Sequence, residues 1–318
     1  MPSTLSVSRS PVPLLVAHDD DLNGIRLRTA PDLVRVRHRV YAHAAAWRAL
    51  RPWERYTARV HAYALVSPQA VFALESAAAL HGLPLFGEAR DVHVFDTGRS
   101  ASTRYGDVVV HTSRDAPAIE VRDGILATTA LHTAVALGRV LPPAFGLAIC
   151  DAVARRGNDD LAGFAELIHR QADRRGRRRL RWLHERVDPQ SESTGESVSR
   201  AVIEWLGFAD PELQHEFRYE GKRDRTDFFW PDERVVGESD GYGKYDSPSL
   251  EEAKARLTDE KQREDRLRRY VAGFARWDWS DTMRAYPLGN KLRLAGLSPR
   301  HPINSSALQS LRWNPRSL

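Results

Sequence analysis

The sequence has a single cysteine, Cys150, which excludes an intramolecular disulfide and a zinc site built from several thiolates. No run of residues approaches the roughly 20 apolar side chains that a membrane span needs. The apolar run Pro13 to Ala17 is too short for the core of a secretory signal, and aspartates follow it. These absences predict a cytoplasmic protein without a membrane partner, in which Cys150 is a buried thiol on an apolar helix.

Positive charge is in excess, with 47 Lys and Arg against 42 Asp and Glu and a net charge of +5. Six arginines lie within Arg174–Arg181. Because like charges one helical turn apart repel each other, this cluster favours an anionic partner. We predict that Arg177, Arg178 and Arg179 contact a phosphate backbone, and the alternative is a solvated helix face.

A length of 318 residues is typical of two domains. The first half mixes short helices and strands, and its basic hairpin at Leu33 to Tyr41 carries Arg35 and Arg37 on one face. Such a hairpin is either the wing of a winged-helix domain, with Arg35 and Arg37 as DNA-binding residues, or an ordinary edge hairpin. We predict a mixed α/β domain over 1–175, a basic linker at 176–190, a second domain over 191–282 and a loosely ordered tail at 283–318.

The second domain has the more regular pattern. An amphipathic helix at Ser193 to Leu206 precedes three short strands that end near Asp240, and a long charged helix precedes a last strand at Phe274 to Trp279. This order predicts an α+β fold with an αβββαβ core, as in the restriction-endonuclease-like fold.

Acidic residues mark the strands of this domain. Glu238 and Asp240 stand two apart on one strand and therefore share a face, with Asp227 on the neighbouring strand. Glu196, on the preceding helix, is placed to approach the same cleft. Converging carboxylates repel one another unless a hard cation lies between them, which predicts Mg²⁺ or Mn²⁺. The alternative is that these acids are ordinary strand-end and turn residues.

The segments Thr226 to Pro231 and Val235 to Gly241 resemble the D…ExD-G signature of very-short-patch-repair-type endonuclease domains, a branch of the PD-(D/E)XK superfamily. Asp259 to Leu267 and Gly273 to Trp279 are similar to the helix and last strand of that branch. The resemblance implies a metal-dependent DNA endonuclease with Asp227, Glu238 and Asp240 as catalytic metal ligands. Asp240 replaces the superfamily's lysine, so Lys261 or Lys244 is expected to supply the basic group.

The N-terminal half resembles the AbiEi-type antitoxins of type IV toxin–antitoxin systems in Leu33 to Tyr41, Ser76 to Pro84 and Thr128-Thr129. That resemblance implies a winged helix that binds duplex DNA and a cognate nucleotidyltransferase toxin. The alternative function is therefore a DNA-binding antitoxin or transcriptional regulator with an inactive nuclease fold.

Overall fold

The computed structural model describes residues 9–17, 27–157, 161–240 and 250–317. The chain is an α+β protein that forms two compact units. The first comprises Met1–Leu141, Asp159–Glu185 and Asn314–Leu318, and the second Pro142–Asn158 and Arg186–Trp313. This division differs from the predicted boundary at 176–190. Pro142–Asn158 precedes that boundary but belongs to the second unit, and Asn314–Leu318 follows it but belongs to the first. Within the described ranges, no helix has the length and apolar character that crossing a membrane requires.

The first unit begins with a three-stranded sheet in the order β1-β3-β2. The antiparallel pairing of β2 with β3 confirms the basic hairpin, and its assignment as a wing remains a prediction. Two helices follow the sheet. The elements are β1 (Leu15–Val16), β2 (Leu33–Arg37), β3 (Val40–His43), α1 (Ala44–Ala49) and α2 (Pro52–Val66).

A six-stranded mixed sheet, ordered β6-β7-β5-β4-β9-β8, carries the main core of this unit. The sequence pattern predicts a helix from Gln69 to His81, but only its second half is helical, because Val71 and Phe72 pair with strands on both sides. The elements are β4 (Val71–Phe72), α3 (Leu74–Leu80), β5 (Val92–Phe95), β6 (Thr103–Tyr105), β7 (Val108–His111), β8 (Ile119–Arg122), β9 (Ile125–Thr128) and α4 (Ala130–Val140).

Helix α5 (Pro143–Ala154) belongs to the second unit, whereas α6 (Leu161–Arg170) and α7 (Arg177–His184) belong to the first. Residues 177–184 of the predicted linker form the helix α7. Helix α7 packs against α4, and its Leu180 and Leu183 are fully buried. Four of the eight residues in this helix are arginines, so the sequence pattern did not indicate that these two leucines are buried. Cys150 on α5 is buried as predicted, and burial raises the pKa of its thiol.

The second unit has the predicted order of helix, three-stranded meander, helix and strand. Strands β10, β11 and β12 pair antiparallel, and β13 lies parallel to β12. Helix α8 packs against α5, which explains why α5 belongs to this unit. The elements are α8 (Thr194–Trp205), β10 (Glu212–Tyr219), β11 (Lys222–Trp230), β12 (Val235–Asp240), α9 (Leu250–Tyr270) and β13 (Gly273–Asp278).

Helices α8 and α9 both pack on this sheet. The buried Trp277 of β13 donates its indole N–H to Ser199 of α8 at 2.9 Å. Leu267 of α9 packs in a second cluster with Phe217, Phe229 and Val236. Because successive strand residues point to opposite faces, Arg276 lies on the face opposite to Trp277.

Residues 283–317, in the segment predicted to be loosely ordered, contain short helices. Helices α10 (Trp279–Arg284), α11 (Tyr286–Leu294) and α12 (Ser305–Gln309) lie between residues 279 and 309, and Leu288 and Leu292 of α11 are fully buried. The Pro-, Asn- and Arg-rich composition obscured this packing. In the first unit, Arg316 pairs with the buried Glu75 and donates to His93 at 3.2 Å. Burial, followed by the charge of Arg316, lowers the pKa of His93 to about 2.

Candidate functional site

Glu238 is the most buried of the predicted catalytic acids, with a side chain that is 6% exposed. It pairs in register with Arg276 of the parallel strand β13. Arg276 donates to its carboxylate at 2.7 Å, and Arg263 of α9 donates to it at 2.8 Å. Two guanidinium groups therefore supply the positive charge that this buried carboxylate requires.

Arg276 lies within ion-pair distance of four carboxylates. Its Nη2 is 2.7 Å from Glu238 and 3.0 Å from Glu260, its Nη1 is 3.5 Å from Glu264, and its Nε is 3.7 Å from Asp240. Burial opposes the charge on Arg276, but the hydrogen bond and charge of Glu238, together with the charges of Asp240 and Glu260, raise the pKa of Arg276. We call Glu238, Asp240, Glu260 and Glu264 the carboxylate cluster.

Asp227 adjoins this cluster across the β11–β12 pair. Its carboxylate accepts the backbone N–H of Ser239 at 2.9 Å, between Glu238 and Asp240 in the chain. Register is fixed nearby, where Phe228 pairs with Gly237. The structure thus places Asp227, Glu238 and Asp240 at neighbouring strand positions, as the sequence predicted.

Glu196 has a different environment. It is buried in the first turn of α8, where Ser193 accepts its backbone N–H and its own carboxylate accepts the N–H of Glu192 at 2.8 Å. The amide of Gln214 donates to the same oxygen at 2.8 Å. Ser193 is the capping residue, whereas the Glu196 carboxylate binds Glu192, which precedes the cap, and Gln214. The role of Glu196 with a metal remains a prediction.

Of the two predicted lysines, Lys261 is exposed on α9 next to Glu260, and Lys244 lies outside the described residues. On the same helix, the Arg266 guanidinium makes two hydrogen bonds to Asp224 of β11, at 2.8 and 2.7 Å. These bonds hold the pKa of Asp224 below its usual range, against the opposing effect of burial. Arg266 thus links helix α9 to strand β11 of the sheet.

Within the described part of the chain, no three Asp, Glu, His or Cys side chains are grouped as metal ligands. The chemistry of the donors nevertheless fits a hard cation, because the carboxylate cluster offers only oxygen ligands and already surrounds the Arg276 cation. Asp227, Glu238 and Asp240 are therefore a fit for Mg²⁺ or Mn²⁺ in ligand type. A metal at Glu238 requires that a guanidinium moves away.

The predicted DNA-binding arginines divide into structural and exposed residues. Arg179 donates to the carbonyl oxygens of Arg139 and Leu141 at 2.9 and 2.6 Å, and burial lowers the pKa of Arg179. Arg37 pairs with Asp107 at 2.5 Å and covers the ring of Tyr63. These two guanidinium groups are therefore engaged within the protein.

Other arginines of the same two regions are exposed. Arg177, at the start of α7, is an exception and is half-buried. Arg175 is exposed and pairs with Asp173 at 2.9 Å. The further exposed side chains are those of Arg35, Arg174, Arg178 and Arg181.

The residues that the sequence interpretation missed are Arg263, Arg266 and Arg276. Arg276 pairs with Glu238 only because β13 lies parallel to β12, and the register of that pair cannot be read from hydrophobic alternation. The spacing of Arg263 and Arg266 on α9 was the available signal, since residues three apart share a helix face.

Comparisons of the chain with protein-family models, with curated proteins and with solved structures found no match.

Proposed function

We propose that the chain is a metal-dependent DNA endonuclease whose second unit has a restriction-endonuclease-like core. The observation that carries the proposal is the placement of Asp227, Glu238 and Asp240 at neighbouring positions of β11 and β12, inside an αβββαβ order of elements. Three acids at this place are a site for a hard divalent cation rather than for a neutral ligand.

In this proposal Asp227, Glu238 and Asp240 would hold Mg²⁺ or Mn²⁺, which would supply an activated water and neutralise charge on the phosphodiester. Lys261, exposed beside Glu260, is the residue that approaches the scissile phosphate and offsets its negative charge. Arg266, through Asp224, fixes α9 against the sheet and so fixes the position of Lys261.

The test of cleavage is nicking of supercoiled plasmid in Mn²⁺ or Mg²⁺ and in EDTA. We expect metal-dependent nicking by the wild-type chain and a loss of about 100-fold or more in Asp227→Asn, because loss of a ligand exceeds the 10–100-fold effects of outer residues. Asp232→Asn, on an exposed turn, is the matched control and should nick at the wild-type rate. Nicking that is equal in Asp227→Asn would refute the assignment.

A second candidate function rests on the two arginines that hold Glu238. If neither leaves, the second unit binds DNA without cutting it, as in an antitoxin-like regulator with an inactive nuclease fold. DNA binding by the wild type without nicking in either metal would favour this function. The cognate nucleotidyltransferase toxin remains a prediction from the N-terminal resemblance.

Both functions require DNA binding, and the exposed arginines near α7 test it. Changing Arg174, Arg178 and Arg181 together to Ala is expected to weaken binding equally on unrelated duplexes. The slope of log affinity against log salt should fall by about 2–3, near 0.9 for each lost phosphate contact. Fluorescence anisotropy at several salt concentrations measures both quantities.

The control removes the same charge elsewhere, by changing Arg293, Arg300 and Arg312, which are exposed in the second unit, to Ala. An equal loss in both triple variants would show that net charge alone drives the binding. Arg179 is left intact because its guanidinium supports the end of α4, so its loss would affect folding.

A further inference from the structure

Arg276 differs from the other arginines of the second unit in what it contacts. Its ion pairs join two elements, with Glu238 and Asp240 on β12 and Glu260 and Glu264 on α9. The Nε of Arg276 is buried and lacks a hydrogen-bond partner, since its distance of 3.7 Å to Asp240 is too long for one. One guanidinium thus occupies the centre of the carboxylate cluster with part of its donor capacity unused.

Arg263, the second cation on Glu238, is held differently. Its Nη1 donates to the backbone carbonyl of Arg225 at 2.9 Å while its Nη2 contacts Glu238. A backbone anchor fixes Arg263 independently of the acids, whereas the polar contacts described for Arg276 are with carboxylates. When another cation takes over the Glu238 oxygens, Arg276 still has two carboxylates on α9, Glu260 and Glu264, to neutralise.

We propose that Arg276 is a built-in counter-cation that competes with the divalent metal for Glu238 and Asp240 and thereby sets the metal affinity. This inference rests on the proposed metal-dependent function and deepens it. In the metal-free chain, Arg276 neutralises Glu238 and its neighbours. When Mg²⁺ or Mn²⁺ binds Glu238 and Asp240, the guanidinium loses these partners and keeps those on α9, Glu260 and Glu264.

The exchange predicts that removing the competing charge tightens metal binding. We expect Arg276→Gln to bind Mn²⁺ at least tenfold more tightly than the wild type, which equals about 1.4 kcal/mol. Direct measurement by electron paramagnetic resonance of free Mn²⁺ requires neither DNA nor turnover. Arg269→Gln is the matched control, because Arg269 pairs with Glu220 on the same unit away from the cluster, and its affinity should equal that of the wild type.

Arg276→Lys tests the same point if the glutamine variant does not fold, as judged by thermal unfolding. A lysine keeps the charge but lacks the planar fork that reaches several carboxylates, so its Mn²⁺ affinity should lie between those of the wild type and the glutamine variant. Affinity in the folded variants equal to or weaker than that of the wild type would overturn the inference and make Arg276 a positioning residue. No Mn²⁺ binding by the wild type or the variants would overturn the proposed function as well.

Discussion

Replacing Gly273 by alanine is expected to destabilise the second unit by at least about 3 kcal/mol, the upper end of the usual cost of overpacking. A Cβ at this first residue of β13 would lie 1.8 Å from the carbonyl oxygen of Ala295, which follows α11. The backbone of Ala295 cannot rotate aside as a flexible side chain can, so β13 and the segment after α11 would have to move apart. Urea unfolding should show the loss, with a fall in melting temperature of roughly 10 °C.

Gly221→Ala is the control for the effect of a methyl group alone. Gly221 has a φ of 68°, but nothing lies within 4 Å of the position that a Cβ would take, so only the conformational cost of roughly 1 kcal/mol applies. An equally small loss in Gly273→Ala would mean that the segment after α11 is not held against β13, and would favour the loosely ordered tail that the composition predicts.

The folded C-terminal segment shows where sequence interpretation reached its limit. Its helices are short, and its anchors are close backbone approaches rather than long apolar stripes. At Gly207, as at Gly273, a side chain would collide with a carbonyl oxygen, here that of His301 at 2.0 Å. A glycine at such a contact leaves no periodic pattern, because the information lies in a partner segment that is distant in the sequence.

The regular part of the second unit was predicted well because each of its elements has its own signal. Helix α8 has an apolar stripe and a Ser193 cap, and the Glu220-Gly221 and Pro231–Arg234 turns delimit the strands of the meander. The strands at 119–122 and 125–128 were missed, since both are short and one is largely exposed. Their pairing is fixed by the rest of the sheet.

The sequence predicted that Asp227, Glu238 and Asp240 are neighbours, but it did not predict the arginines that pair with Glu238. Two-residue spacing on one strand is sufficient to place Glu238 beside Asp240. This spacing gives no information about Arg276, which lies 38 positions after Glu238. The two residues come together because strands β12 and β13 pair. No basic residue adjoins the acids in the sequence, whereas in the fold Arg263 and Arg276 both pair with Glu238.

Because of these two arginines, we expect Glu238→Ala to destabilise the metal-free chain rather than to stabilise it. If repulsion dominated, Glu238→Ala would stabilise the metal-free chain. With both arginines in place, the substitution removes the shared partner of two half-buried guanidinium groups and should destabilise the unit by about 2–3 kcal/mol, below the 3–5 kcal/mol of a fully buried pair. Urea unfolding in EDTA, with and without the substitution, measures the difference.

Glu216→Ala is the matched control, because Glu216 also lies on a strand of this sheet and pairs with Arg223, but in an exposed position. Its loss should cost less than about 1 kcal/mol, as for other surface ion pairs. A Glu238→Ala variant as stable as the wild type, or more stable, would mean that carboxylate repulsion outweighs the two ion pairs. In the opposite case the arginines are the resident cations of the site, and a divalent metal has to bind Glu238 in competition with them.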